Sequence, residues 1–134
     1  MLQLTTIADL TLDQNWLGIW YDPLPGEPTP HAGGLQPWKT ISSKKNQDPF
    51  ALASAFSRDV PSGKKVYILI PGKRFDHLGT RHGRGGGWYD RFLSAVPREW
   101  LRIGVVGTGS LSAQPLIRRP WDEPMDLLLA SESD

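Results

Sequence analysis

Unbroken apolar runs alternate with a helical pattern in the second half of this chain. Val66–Ile70 favours a β-strand and lacks polar alternation, which is typical of strands covered on both faces in a parallel sheet. From Trp88 onward apolar residues recur at helical spacing until Pro97 ends the pattern, and Leu101–Val106 resembles a second strand. This order predicts a βαβ unit and therefore an α/β fold, in which ligands bind at the carboxyl edge of the sheet.

Further elements flank this unit. Residues 16–21 and 125–130 are predicted strands, and residues 49–58 form a predicted short helix with Asp48 as its N-cap. Residues 22–48 begin with a stretch rich in proline and glycine and continue as a polar segment, so they are predicted to be an arm or loop. The length of 134 residues fits a single domain spanning the whole chain.

The amino-acid composition and the distribution of charge limit the classes of protein to which this chain could belong. The chain is 39% hydrophobic and 22% charged, which is typical of a globular protein. No apolar run approaches the ~18 residues of a membrane helix, and no signal peptide is evident, so we expect a soluble, cytoplasmic protein without a membrane partner. Residues 73–91 carry a local charge of +3 between acidic ends of the chain, which indicates either a centrally bound anion or a solvated basic face.

A glycine- and arginine-rich segment leads into the predicted second helix. Glycines lack side chains, so the backbone can adopt positive φ and approach a ligand closely; they are Gly83, Gly85, Gly86 and Gly87. Such a turn before a helix directs amide N–H groups at one point, where a phosphate binds. Arg81 and Arg84 would add positive charge, and Asp90 could hold Mg²⁺. A flexible connection without a ligand is the alternative, although such linkers seldom carry arginines.

The same segment has a specific resemblance. From Pro71 to Leu93 the chain follows the pattern Pro-Gly-x-x-Phe-Asp-x-x-Gly-x-Arg-x-Gly-x-Gly-Gly-Gly-x-Tyr-Asp-Arg-x-Leu. This pattern resembles the signature of the 5-formyltetrahydrofolate cyclo-ligase family, the methenyltetrahydrofolate synthetases. Residues 120–126 are similar to a C-terminal block of the family, in which an aspartate precedes a short strand. The resemblance implies a three-layer, Rossmann-like α/β domain with a mostly parallel sheet, the cyclo-ligase or NagB-like fold.

The resemblance also implies an activity and a site. Such enzymes use ATP and Mg²⁺ to cyclise 5-formyltetrahydrofolate to 5,10-methenyltetrahydrofolate, with the formyl oxygen activated by phosphoryl transfer. Catalysis would involve Arg84 and Tyr89, and Mg²⁺ would bind Asp90 and Asp122. Nucleotide binding would involve the nine consecutive residues Arg81, His82, Gly83, Arg84, Gly85, Gly86, Gly87, Trp88 and Tyr89. The implied ligands are therefore a nucleotide and a reduced folate.

The sequence departs from the family pattern at several positions. His82, Trp88 and Trp121 replace the residues that are usual there, and residues 39–64 resemble an insertion. The N-terminal segment that brings a lysine and an arginine to ATP in the family is not evident, so we expect a short form. Two consequences follow as alternatives: a homo-oligomer that completes the site, or a non-catalytic relative that binds nucleotide, folate or a protein partner.

Other candidate residues have simpler interpretations. The three histidines, His31 among them, are too scattered for a metal site. Asp76 could contact substrate or close a turn with Gly79. Trp16 and Trp20 could stack on a ring or pack in the core. Nucleic-acid binding through the arginines of residues 81–91 lacks a recognisable module, so no nucleic-acid partner is expected.

Overall fold

The computed structural model describes residues 1–43 and 47–131, which contain eight strands and two α-helices. In chain order the elements are β1 (Leu4–Thr5), a 3-10 turn (Ile7–Asp9), β2 (Trp16–Tyr21), β3 (Lys39–Ile41), α1 (Pro49–Asp59), β4 (Lys65–Ile70), β5 (Arg74–Phe75), β6 (Arg81–His82), α2 (Trp88–Ala95), β7 (Leu101–Val106) and β8 (Leu127–Ala130). Neither of the described helices is long and apolar enough to cross a bilayer.

Six of these strands form one parallel sheet. The strand order is β1-β8-β7-β4-β2-β3, and each neighbouring pair is parallel. In the pairing of β4 with β7, Ile68 lies opposite Arg102. Five of the six residues in β4 are buried, as are five of six in β7, so both faces of these central strands are covered. The predicted α/β fold with a parallel β4–β7 pair is confirmed.

The two helices pack against each other through aromatic rings. The Phe56 ring of α1 meets the Phe92 ring of α2 edge-on, with centroids 6.1 Å apart. The N-terminus of α1 is capped as predicted, because Asp48 accepts a hydrogen bond from the Phe50 amide at 3.1 Å. Helices at residues 49–58 and from Trp88 are thus both confirmed.

The prediction that residues 22–48 form an arm or loop is wrong for residues 39–41. Residues 39–41 form β3, which pairs in parallel with β2 at the edge of the sheet. The strand was missed because it has only three residues and includes the polar pair Lys39 and Thr40, so it has no apolar run. Residues 44–46 of the same predicted arm lie outside the described residues.

A buried arginine connects the end of the chain to α2. Arg102 of β7 is 1% exposed and donates hydrogen bonds to Glu123 Oε1 at 2.6 Å and to the Leu93 carbonyl oxygen at 2.9 Å. A buried guanidinium is costly unless it is paired and hydrogen-bonded, so these contacts fix the position of Glu123. This anchoring places the segment before β8 beside α2.

Candidate functional site

The main cleft lies where the order of strands reverses. The chain proceeds from β2 outward to β3 and then returns to place β4 on the other side of β2. In open α/β sheets ligands bind outside the carboxyl ends of the strands at this kind of reversal. A cleft of about 1100 Å³ lies there, lined by Leu24 and Glu27 after β2, by Pro71 after β4, and by residues 81–91. Topology and sequence motif therefore indicate the same place.

The glycine turn adopts a backbone conformation that other residues rarely reach. Gly85, Gly86 and Gly87 have φ angles of 93°, 74° and 67°, and Gly87 is the N-cap of α2 in the left-handed region. A residue with a Cβ would be strained at each position. The turn lines the cleft together with the first residues of α2, and the positive end of the helix dipole at this terminus favours an anion.

Arg81 lies at the base of this cleft. It is 9% exposed, its Nε donates to the Pro71 carbonyl oxygen at 2.6 Å, and its guanidinium lies 5.0 Å from the centroid of the Tyr89 ring. A Cβ at Gly83 would come within 2.8 Å of an Arg81 terminal nitrogen, so glycine leaves room for the guanidinium. Burial lowers the pKa of Arg81, while Asp90 and other nearby acidic groups oppose that shift.

Arg81 takes part in none of the ion pairs that the described residues form. With nitrogen-to-oxygen distances of 4.0 Å or less, those pairs are Lys39–Asp59, Arg84–Glu27, Arg98–Asp126, Arg102–Glu123 and Arg119–Asp122. Arginine stays protonated in proteins, so Arg81 is a buried cation with no carboxylate in direct contact within the described ranges. An anion entering the cleft would supply that missing charge.

Arg84 lies nearer the mouth of the cleft. Its side chain is 49% exposed, and its Nε lies 3.5 Å from Glu27 Oε2. The same Glu27 accepts a hydrogen bond from the Leu24 amide at 2.8 Å, which holds the carboxylate within the proline-rich segment. Arg84 therefore bridges the glycine turn and that segment, and a bound phosphate would compete with Glu27 for it.

The remaining predicted nucleotide-binding side chains are engaged with the protein. Tyr89 is 3% exposed, and burial raises the pKa of its hydroxyl, which is therefore neutral at physiological pH. Trp88 stacks on Phe92 with centroids 5.5 Å apart, and His82 Nε2 lies 2.7 Å from the Ile117 carbonyl oxygen. All three predicted residues line the cleft as supporting walls. Their nucleotide contacts stay a prediction.

The two predicted metal-binding carboxylates come from neighbouring segments. Asp90 Oδ1 accepts a hydrogen bond from the Glu123 amide at 2.9 Å, which brings Asp122 beside the start of α2. Asp122 Oδ2 accepts from the Arg119 amide at 2.9 Å and so closes a turn. Its Oδ1, however, is buried and has no hydrogen-bond partner among the described residues.

This donor set fits a magnesium ion only as a partial shell. Among residues 1–43 and 47–131 no group of three His, Cys, Asp or Glu side chains is arranged to hold a metal. Mg²⁺ usually binds one or two protein carboxylates and takes its other oxygens from substrate phosphates and water. Asp90 lines the cleft, whereas Asp122 is buried and is not among the described lining residues. Its Oδ1, unpartnered among the described residues, leaves one acceptor open for that mode of binding. The metal site stays a prediction.

Asp76 has a structural role that the sequence left open. Its Oδ1 accepts hydrogen bonds from the Leu78 and Thr80 amides at 3.0 and 2.9 Å, and its Oδ2 accepts from the Leu116 amide at 2.7 Å. Burial alone would raise the pKa of Asp76, but these amides outweigh it and the pKa is lowered. Asp76 thus closes the turn with Gly79 and fastens Leu116 to that turn.

Several cleft residues were missed from sequence, and two of them, Glu27 and Ile117, contact predicted site residues. Glu27 is a single acidic residue between prolines, and Ile117 lies in a segment without regular structure. Neither carries a motif, because each reaches the cleft only through contacts distant in sequence: Glu27 with Arg84, and the Ile117 carbonyl with His82. The sequence signal that was available for Ile117 is an apolar side chain in a largely polar loop.

Comparison with known proteins identifies related sequences. A model of the 5-formyltetrahydrofolate cyclo-ligase family matches residues 50–130. A 5-formyltetrahydrofolate cyclo-ligase of Mycoplasma pneumoniae is 34% identical over 65 residues, covering 48% of this chain and 38% of the relative. The corresponding protein of Mycoplasma genitalium is 31% identical over 64 residues, with the same coverage. The match thus spans less than half the length of these curated relatives.

A solved structure shares the fold. The structure of a 5,10-methenyltetrahydrofolate synthetase from Mycoplasma pneumoniae superposes with a TM-score of 0.56, covers 91% of this chain and 77% of that one, and is 20% identical in sequence. The family match corrects the predicted insertion at residues 39–64 in part, because residues 50–64 lie inside the matched region; for residues 39–49 the insertion stays a prediction. Helix α1 is the crossover that a parallel strand at β4 requires after β3.

Proposed function

This chain belongs to the 5-formyltetrahydrofolate cyclo-ligase family, and from that premise we propose that it cyclises 5-formyltetrahydrofolate to 5,10-methenyltetrahydrofolate with Mg·ATP. We expect the reaction to run in the cytoplasm, where ATP is available. The observation that carries the proposal is the buried Arg81, which lies at the base of the cleft without a carboxylate in contact among the described residues. A polyphosphate held at the glycine turn would supply its counter-charge.

The proposed reaction balances with ATP as the activating co-substrate. The formyl oxygen attacks the γ-phosphorus and forms an O–P bond, while the bond to ADP breaks. The second folate nitrogen then attacks the activated formyl carbon and closes the five-membered ring. Inorganic phosphate leaves with the former formyl oxygen, and the proton of the attacking nitrogen passes to that phosphate or to water. Phosphoryl transfer depends chiefly on positioning and on charge neutralisation, and the protein groups around this cleft are suited to both.

Each of the cleft residues has a role in this proposal. The amides of residues 85–87 and of the first turn of α2 would bind phosphate oxygens. Arg81 would neutralise charge at the base of the cleft, and Tyr89, beneath its guanidinium, would hold it in place. Arg84 would leave Glu27 and contact the transferred phosphoryl group, where its positive charge is worth most in the transition state.

Mg²⁺ would bind at Asp90 and at the unpartnered Oδ1 of Asp122, and when bound it supplies positive charge to the phosphates. Arg119 fixes the Asp122 carboxylate through its amide and its guanidinium. The Glu123 amide fixes Asp90. These contacts would hold the two carboxylates in position before any ligand arrives.

The test is an absorbance assay for methenyltetrahydrofolate formed from 5-formyltetrahydrofolate and Mg·ATP. Wild-type protein should turn over, and Arg81→Ala should lose at least tenfold in kcat/KM, since a charged hydrogen bond contributes roughly 1.5–3 kcal/mol. Arg58→Ala, on the exposed side of α1, is the matched control and should retain full activity. A wild-type protein that binds Mg·ATP but forms no product would exclude the enzymatic proposal.

A non-catalytic binding function is the second candidate. It is favoured by the contact of Arg84 with Glu27, because an arginine engaged across the cleft is not presented to a phosphoryl group. In that case Mg·ATP or folate would bind without turnover, and Glu27→Gln would strengthen nucleotide binding by freeing Arg84. Calorimetric titration beside the absorbance assay separates the two functions.

A further inference from the structure

One wall of the cleft exposes large apolar side chains. Trp121 is 61% exposed and Ile117 is 79% exposed, and both line the cleft that contains the glycine turn. The chain has six tryptophans, and the other five are buried or half-buried. Exposing an indole and an isoleucine in one cleft costs free energy in water, so these side chains indicate a surface that a ligand covers.

Both side chains extend from a backbone that is held in place. The Ile117 carbonyl oxygen lies 2.7 Å from His82 Nε2, and the neighbouring Leu116 amide donates to the buried Asp76 carboxylate at 2.7 Å. The turn that carries Trp121 is closed by Asp122, whose Oδ2 accepts from the Arg119 amide. The wall is therefore set before a ligand binds, and little ordering cost remains.

The indole also has a defined neighbour. The Arg119 guanidinium carbon lies 5.4 Å from the centroid of the Trp121 ring, a cation–π contact, and Arg119 Nε is itself bound to Asp122 Oδ2 at 3.3 Å. This contact orients the ring, and its 61% exposure leaves much of the indole surface open. A flat aromatic group is the partner that such a surface best accommodates.

We propose that Trp121, with Ile117 lining the same cleft, is the platform on which the flat heteroaromatic ring of an anionic ligand stacks while its anionic end lies at the glycine turn. The proposal rests on the proposed function for the identity of the ligands, whose rings are the purine of ATP and the pterin of the reduced folate. It adds a specificity residue outside the glycine motif, at a position where this chain departs from the family pattern.

The experiment measures binding by calorimetry for three probes: Mg·ATP, Mg·tripolyphosphate and 5-formyltetrahydrofolate. Trp121→Ala should weaken Mg·ATP at least fivefold and leave Mg·tripolyphosphate within about twofold, because stacking on an aromatic side chain contributes ~1–3 kcal/mol and tripolyphosphate has no ring. Trp121→Phe should keep most of the ATP affinity. Phe50→Ala, which removes a half-exposed ring on α1, is the control and should change nothing.

The outcomes separate this proposal from the proposed function. A selective loss for 5-formyltetrahydrofolate instead of ATP would also support the platform and assign it to the pterin. Equal losses for ATP and tripolyphosphate, or no loss for either ring-bearing probe, would overturn it, as would a wild-type protein that binds neither of them. If binding depends on the ring but no product forms, the platform is supported and the ligase activity is rejected. If product forms at the same rate in wild type and Trp121→Ala, the ligase activity is supported and the platform is rejected.

Discussion

Replacing Asp76 by asparagine tests whether one carboxylate holds the turn at residues 76–80 together. The native side chain accepts three backbone hydrogen bonds, from Leu78, Thr80 and Leu116, at distances between 2.7 and 3.0 Å. Asparagine has one acceptor oxygen and one donor nitrogen. Its oxygen can keep the two hydrogen bonds from Leu78 and Thr80, but only as bonds to a neutral acceptor. Its nitrogen then faces the Leu116 amide, so two donors meet and that hydrogen bond is lost.

The cost follows from these three contacts. A hydrogen bond to a charged group contributes roughly 1.5–3 kcal/mol and a neutral one roughly 0.5–1.5 kcal/mol, while a donor left unsatisfied costs about 1–3 kcal/mol. Since the Leu116 amide is only partly buried, we expect a total loss of about 2–4 kcal/mol at neutral pH. For 134 residues the unfolding entropy is about 0.28 kcal/mol/K, so the Tm should fall by roughly 7–14 °C.

The pH dependence gives a second signature. The folded-state pKa of Asp76 is depressed below its ordinary value of 3.8, so the carboxylate stabilises the fold fully above that value. Its contribution is lost as the pH falls through the folded-state pKa. The difference in unfolding free energy between wild type and Asp76→Asn should therefore be constant from about pH 5 upward and shrink in stronger acid.

Urea unfolding followed by circular dichroism, repeated across this pH range, measures both quantities. Asp59→Asn is the matched control: Asp59 is exposed and paired only with Lys39 at 3.0 Å among the described residues, so its loss should cost under about 1 kcal/mol. If Asp76→Asn unfolds within 0.5 kcal/mol of wild type at about pH 7, the inference that three amides depend on this carboxylate is refuted.

Three further predictions concern the cleft. Arg84→Ala should weaken Mg·ATP binding about tenfold or more, measured by calorimetry against Arg58→Ala; an unchanged dissociation constant would remove Arg84 from the site. Asp122→Asn should abolish the Mg²⁺ dependence of nucleotide binding and leave the circular dichroism spectrum unchanged, whereas normal Mg²⁺ dependence would make Asp122 purely structural. Sedimentation should reveal a dimer at concentrations where the protein is active; an active monomer would show that no second copy completes the site.

Local sequence signals predicted the centre of the fold. β4 and β7 are apolar runs buried along five of six residues, and α2 starts where glycine ends and helical spacing begins, so each element is encoded by its own residues. β1 and β3 are different, because strands of two and three residues exist only through pairing with β8 and β2. Their positions depend on tertiary context that no local pattern contains.

The same distinction between local signals and tertiary context applies to the candidate site. The glycine turn and Asp90 belong to one continuous motif and could be named from the sequence as candidate site residues. The Arg84–Glu27 pair and the Asp76–Leu116 bond join residues far apart in the chain, so no spacing predicts them. Asp76 itself was recognisable as a turn residue. Its hydrogen bond with the Leu116 amide was not, because it forms only when the segment that contains Leu116 packs against the turn in the folded chain.

The lengths of the two edge strands restrict how this protein could associate with itself. β1 and β3 end the sheet with two and three residues, so each edge offers few unpaired backbone groups. Long flat edges are templates for strand addition, domain swapping and amyloid growth, and short ones resist all three. A second copy that completes the cleft would therefore have to dock through side chains, not by continuing the sheet, and its interface would be open to disruption by surface substitutions that leave each subunit folded.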